Sequence, residues 1–261
     1  MKITGIKTER IENGQKLLPI LLLALPRPLR ERDIVCVTSK VVALEQGRAL
    51  KLSDLKISEA AKQLPQLLYG KDFKTYPGLA QLLLDEAEKI YRAKYVFFTL
   101  RDAIFMANAG IDLSNTPEGY AVPWPTQPWS WAHGFRRQLR AHFGLRELGV
   151  ALTDSRIMPL RRGVSGIAIA WSGIEGVESQ VGKPDLYGKP LKLTEKAVAD
   201  DLASVAVLVS GESAEATPFV LCEESPAVFT DRESDGKEYF IAPREDLYAG
   251  IYAEALAQAM S

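Results

Sequence analysis

The chain predicts an α+β fold of mixed α/β element order, on three observations. Strand-like and helix-like segments are interspersed without the steady βαβ alternation of a doubly wound sheet. Neither a Walker-type phosphate loop nor a dinucleotide glycine fingerprint is present, which excludes the P-loop and Rossmann readings. With 261 residues at 47% hydrophobic content, the chain buries one sizeable core or two smaller lobes without a disulfide or metal staple.

Residues 2 to 10 alternate as a strand does, and LLPILLLAL reads as a helix before the Pro26/Pro28 break. DIVCVTS is a buried strand, and the acidic-polar turn from Glu45 to Arg48 leads into helical stretches on either side of Tyr76-Pro77-Gly78. Two apolar runs between Tyr95 and Met106, interrupted at Arg101-Asp102, predict a β-hairpin that delivers the chain to Asn108-Ala109-Gly110-Ile111-Asp112. VPWPTQPWSWAHG reads as a surface loop or ordered cover ahead of a helix over about Ser130 to Phe143. On that helix Trp131, Phe135, Leu139 and Phe143 recur at i+4 as a core stripe, with Arg136, Arg137 and Arg140 on the opposite face. LGVALTD and IAIAW are buried strands around the glycine-bearing stretch Leu160 to Gly166. A helix capped by Thr194 shows apolar Val198, Leu202, Val205, Ala206 and Val209 and stops at Gly211. FVLC adds a strand, and a terminal helix is expected near Glu245 to Met260. There is no internal repeat and no low-complexity tract.

Lysine and arginine total 32 against 33 aspartate and glutamate, so the net charge of -1 gives no global attraction to nucleic acid or anionic lipid. Anion binding must be local. Cys36 and Cys222 each lie in an apolar run without metal-ligand spacing and read as core residues, in keeping with a reducing cytoplasm. The first fifteen residues are too polar for a secretory signal, and Leu17 to Leu25 is too short to span a bilayer. The expectation is a soluble, cytoplasmic protein.

Phosphate-activating chemistry needs oxygen ligands for a metal, small residues that let backbone N–H groups approach phosphate, and fixed positive charge. Asp112 in NAGID and Asp154 in TDS each follow a strand-like run, Ser155 adds a hydroxyl, and Glu212 lies just past a helix end. Such oxygen ligands suit magnesium or manganese rather than zinc. Each also has a bland reading: Asp112 as a turn former, Asp154-Ser155 as a cap on the next segment. Pro159 to Gly166 sets Arg161 and Arg162 beside Gly163 and Gly166, either an anion cradle or a basic surface turn. Lys40, after Thr38-Ser39, is either a phosphate contact or a solvated strand end. His133 and His142 read as structural.

In order, the chain gives TSKVVALEQGR, NAGIDLSN, TDSRIMPLRRGVSGIAIA, GKPDLYGKPL and VADDLASVAVLVSGE. That succession, from about Asp33 to Pro218, resembles the coenzyme F-420 γ-glutamyl ligase family. The resemblance implies a two-lobed, usually dimeric subunit that binds GTP or ATP and divalent ions and joins L-glutamate to a carboxylate acceptor through an acyl phosphate. It implies Asp112, Asp154, Ser155 and Glu212 as metal ligands. Ser39, Lys40, Asn115, Ser210, Gly211 and Ser213 would contact the nucleotide, and Arg161 would act with Asp154 in catalysis. The chain departs from the family pattern at Arg156, at Asp102-Ala103 in place of histidine-glycine, at Leu44 in place of a lysine, and near Leu17 to Ile20, where the family has a nucleotide loop. The TDSR form is also similar to a branch proposed to act on folates, so the acceptor is F-420-0-like or folate-like. Its flat ring is expected under Trp124, Trp129 and Trp131. Two other classes fit the same residues: a nucleotide- and metal-binding protein without ligase activity, and a flavin- or deazaflavin-binding module.

Overall fold

The most continuous apolar runs of the sequence become the middle of one sheet. The computed structural model describes residues 1–64, 76–92, 96–242 and 245–250. In chain order the first elements are β1 (Lys2–Ile6), α1 (Leu17–Ala24), β2 (Asp33–Thr38), α2 (Ser39–Glu45), β3 (Leu50–Lys51), α3 (Glu59–Gln63) and α4 (Pro77–Glu86). Next come β4 (Lys89–Arg92), β5 (Phe97–Arg101), β6 (Ile104–Ala107), β7 (Tyr120–Ala121) and α5 (Pro128–Phe143). The last are β8 (Leu148–Ile157), β9 (Val164–Ser172), β10 (Glu178–Ser179), β11 (Glu195–Lys196), α6 (Val198–Ser210) and β12 (Phe219–Glu223). The expected α+β class holds, and the chain divides into two compact units, Met1–Val42 with Gln127–Tyr239 and Ala43–Thr126 with Phe240–Ser261.

The first unit is built on a five-stranded sheet of order β1-β12-β2-β8-β9. β2 and β8 pair in parallel, and the other neighbours are antiparallel. Ile34, Val35, Cys36 and Val37 are all essentially inaccessible, which is why β2 reads as an unbroken apolar run and takes the central place. A parallel pair needs a long crossover, and residues 39–147 supply it. Ile34, Cys36, Ala151, Ala168, Val220 and Cys222 form a layer against Val198, Ala199, Leu202, Ala203 and Ala206 of α6. The two cysteines are free core residues, their Sγ atoms 4.0 Å apart.

Two helical expectations are corrected. Thr194 is not the cap of α6, because Glu195 and Lys196 are drawn into β11, paired with β10. The helix starts after Ala197 without a side-chain cap and carries Asp200 and Asp201 in its first turn, where the helix dipole favours negative charge. Arg136 is not on an exposed face of α5. It is buried, its Nε donating to Leu148 O at 2.7 Å and its Nη2 to Asp231 at 2.6 Å.

Arginine partners hold two carboxyls of this unit below their ordinary range: Arg27 for Glu223, at 2.6 Å, and Arg136 for Asp231. A carboxyl with a depressed folded pKa contributes stability that is present above its ordinary value of about 4 and is lost as pH falls through the lower folded value. The urea midpoint is therefore expected to drop as pH falls below about 4. Glu223→Gln should flatten part of that limb. An unchanged acid slope in the variant would show that the Arg27 pairing contributes nothing.

In the second unit β4, β5 and β6 form a meander and β3 pairs with β7. Leu52, Ala61, Leu79, Leu82, Leu83 and Phe97 make its core. The expected hairpin is β5–β6, but its turn is shifted by one residue. Asp102 and Ala103 both take positive φ, 48° and 60°, as a two-residue hairpin turn matched to strand twist requires. Arg101 instead ends β5, buried, with Nη1 2.6 Å from Glu86. The helical stretch expected just before Tyr76 falls partly, and the terminal helix near Glu245 to Met260 largely, outside the described residues. Among the described residues no helix is long and apolar enough to cross a membrane.

Candidate functional site

The parallel register of β2 and β8 sets Thr38 beside Thr153, so the residue after each comes next to the other at the same end of the sheet. Ser39 opens α2 there, and its Oγ donates to Asp154 Oδ2 at 3.0 Å. Asp154 does not follow a strand, as the sequence suggested, but lies within β8, just after an irregularity at Leu152/Thr153 that re-aims the side chains beyond it. Its other oxygen, Oδ1, accepts the Ser155 N–H at 2.7 Å. Ser155 Oγ in turn lies 3.4 Å from Glu212 Oε2. Four oxygen-bearing side chains from three separate segments thus form one line, from buried Ser39 to exposed Glu212.

The end of α6 places the last of these. Ser210 is buried as the final helical residue, and Gly211 turns the chain out with φ at 77°. The Ser213 N–H donates to Glu215 Oε2 at 2.8 Å, which orders the loop that carries Glu212. Lys40 follows Ser39 on α2 and is half-buried. Arg161 stands exposed in the turn between β8 and β9, its backbone N–H donating to Met158 O. The anion-cradle reading of Gly163 and Gly166 is corrected at Gly166. That residue pairs with Ser155 inside the sheet, and its Cα faces the backbone of α6 at Ala203.

Asp112 and Asn115 belong to the second unit. Asp112 exchanges both backbone hydrogen bonds with Val122, each 2.9 Å, and its Oδ1 accepts the Ser114 N–H at 2.7 Å. The turn ahead of it, Asn108-Ala109-Gly110, is left-handed at all three residues, with φ of 49°, 54° and 69°. Such a conformation costs about 1 kcal/mol or more at each non-glycine residue, so the surroundings must impose it. Sequence reasoning missed Thr99, which does part of this; a threonine alternating into a buried strand carries no signal of its own. The aromatic cover is also corrected. Trp124 is buried over Gly110, Trp129 stacks on Tyr239 and meets Trp171 edge-on, and Trp131 stacks on Phe135.

Among the described residues no three His, Cys, Asp or Glu side chains gather as a metal cage. The first unit offers two carboxylates and a hydroxyl. That set fits a hard divalent cation that keeps water and substrate phosphate among its ligands, the habit of magnesium. It does not suit zinc, which favours nitrogen and sulfur ligands.

Residues 5–224 match the family model described as F420-0:Gamma-glutamyl ligase. The chain is 38% identical over 202 residues to the coenzyme F420:L-glutamate ligase of Methanopyrus kandleri, covering 77% of this chain and 78% of that protein. To the protein of the same name from Methanothermobacter thermautotrophicus it is 34% identical over 225 residues, 85% and 86% of the two chains. To that of Methanococcus maripaludis strain C6 it is 32% identical over 250 residues, 95% and 97%.

Proposed function

The chain belongs to the F420-0:gamma-glutamyl ligase family, and from that premise we propose that it is an acid–amino-acid ligase. In this reading it joins L-glutamate through an amide bond to a carboxylate acceptor, F-420-0-like or folate-like, at the expense of GTP or ATP. The observation that carries the reading is the line of oxygens Ser39, Asp154, Ser155 and Glu212 in a member of this family.

Amide formation from a carboxylate in water is uphill, so the acceptor must first be activated. An acceptor oxygen attacks the γ-phosphorus, the nucleoside diphosphate leaves, and an acyl phosphate results. The glutamate amine then attacks the acyl carbon, phosphate departs, and the amine proton passes to solvent. Magnesium or manganese would neutralise phosphate charge, and Asp154, Ser155 and Glu212 of the first unit and Asp112 of the second are each assigned to metal binding. Ser39 and the Ser155 N–H each donate to one oxygen of Asp154, which fixes the plane of its carboxylate. Lys40, Ser210, Gly211, Ser213 and Asn115 are assigned to the nucleotide, and Arg161 to charge on the transferring phosphoryl group. A homodimer is part of the same reading.

The test runs the protein with L-glutamate, magnesium plus manganese, GTP or ATP, and either F-420-0 or a reduced folate monoglutamate, with mass detection. The expected result is acceptor-dependent phosphate release with a gain of one glutamate on one acceptor. Bound nucleotide with no product on either acceptor would favour the binding protein without ligase activity. A yellow protein as purified would favour the flavin- or deazaflavin-binding module.

A further inference from the structure

We propose that Thr99 is a positioning residue for the carboxylate of Asp112, acting through the left-handed turn Asn108-Ala109-Gly110; this rests on the reading of Asp112 as a metal ligand. Thr99 is fully buried on β5 opposite Met106 of β6. Its hydroxyl makes two hydrogen bonds at once. It donates to Met106 O at 2.9 Å and accepts the Ala109 N–H at 2.8 Å. Ala109 is itself inaccessible, so no water replaces the second bond.

The rest of the turn is held from its two sides. Asn108 Oδ1 accepts the Phe97 N–H at 3.0 Å, tying the first left-handed residue to the start of β5. Gly110 lies under the ring of Trp124, where an added Cβ would come within 2.5 Å of Nε1. Trp124 therefore permits only glycine there, while Thr99 grips the middle of the turn. Two residues on, Asp112 enters its paired hydrogen bonds with Val122. The direction in which the chain leaves the turn thus sets where the Asp112 side chain starts. A hydroxyl at position 99 reaches the metal ligand through one backbone bond and three residues of fixed chain.

Thr99→Val keeps the shape and removes both hydrogen bonds, leaving the Ala109 N–H buried without its acceptor. Outer partners of metal ligands typically alter affinity or activity by about 10–100-fold. Thr99→Val is accordingly expected to weaken Mn2+ binding to the nucleotide-free protein by about tenfold, read directly by electron paramagnetic resonance of free Mn2+. It should lower kcat by about the same factor, with the KM for glutamate and for acceptor within about twofold. Thr99→Ser, which restores the hydroxyl, should recover both. Asp112→Asn is measured alongside. If Thr99→Val does not fold, Thr99→Cys, a weaker donor and acceptor of similar size, takes its place. The proposal is overturned if the variant loses only thermal stability while Mn2+ affinity and kcat stay at wild-type values, or if Thr99→Ser is as impaired as Thr99→Val. Wild-type Mn2+ binding and turnover in Asp112→Asn would overturn the reading of Asp112, and the proposal with it.

Discussion

Asp154→Asn is expected to reduce ligation at least about a hundredfold while leaving the fold in place. The substitution is close to isosteric, and most of the local bonding survives it. The amide Oδ1 still accepts the Ser155 N–H, and the new NH2 group faces the Ser39 hydroxyl, which is able to accept as well as donate. What disappears is the negative charge, at the point where the line from buried Ser39 to exposed Glu212 turns toward solvent. The divalent ion that Asp154 is proposed to hold would neutralise charge on the transferring phosphoryl group, the largest task assigned to this site, so loss of the carboxylate should fall on kcat. The check pairs turnover, read as mass gain on the acceptor, with the thermal midpoint. Near-wild-type turnover in a folded Asp154→Asn protein would remove Asp154 from the metal-binding role.

The residues of that line were legible in sequence because each sits in its own short motif, although 115 residues separate Ser39 from Asp154 and 57 separate Ser155 from Glu212. Their mutual contact was not legible, since it depends on β2 and β8 pairing in parallel across a long crossover. Apolar periodicity served where burial is continuous, as in β2 and β12, whose runs admit no other reading. It failed where tertiary pairing overrides local preference. β8 extends through Ser155-Arg156-Ile157, a polar stretch that reads as loop, because β9 folds back upon it residue for residue. Thr194 has the chemistry of a helix cap, yet the two residues after it are held in a strand pair. The tryptophans misled for a related reason. A proline- and tryptophan-rich segment resembles an exposed loop in composition, whereas Trp124 is needed to close over Gly110.

Gly166→Ala should show how tightly that packing controls the site. The glycine faces α6 so closely that an added Cβ would lie 2.1 Å from the carbonyl oxygen of Ala203 and 2.5 Å from the nitrogen of Ser204. Both are helix backbone, so no side-chain rotation relieves the overlap. Either α6 moves away from β9 or β9 buckles. Overpacking of this kind is expected to cost about 2–3 kcal/mol, near the top of the usual range. In a chain of this size that corresponds to a fall in Tm of roughly 5–10 °C. The effect should not stop at stability. Gly166 pairs with Ser155, and Ser204 Oγ, which donates to Gly166 O at 3.2 Å, lies on the helix that ends at Gly211 and presents Glu212. Displacing α6 by the ångström or so needed to clear a methyl group would stretch the 3.4 Å contact between Ser155 and Glu212 from both sides. A variant that unfolds earlier but, well below its Tm, binds Mn2+ and turns over as wild type does would show that α6 can shift without disturbing the proposed roles of Ser155 and Glu212. Loss of Mn2+ affinity at temperatures where the protein is fully folded is the result expected if the close contact of helix and strand holds Glu212 in place.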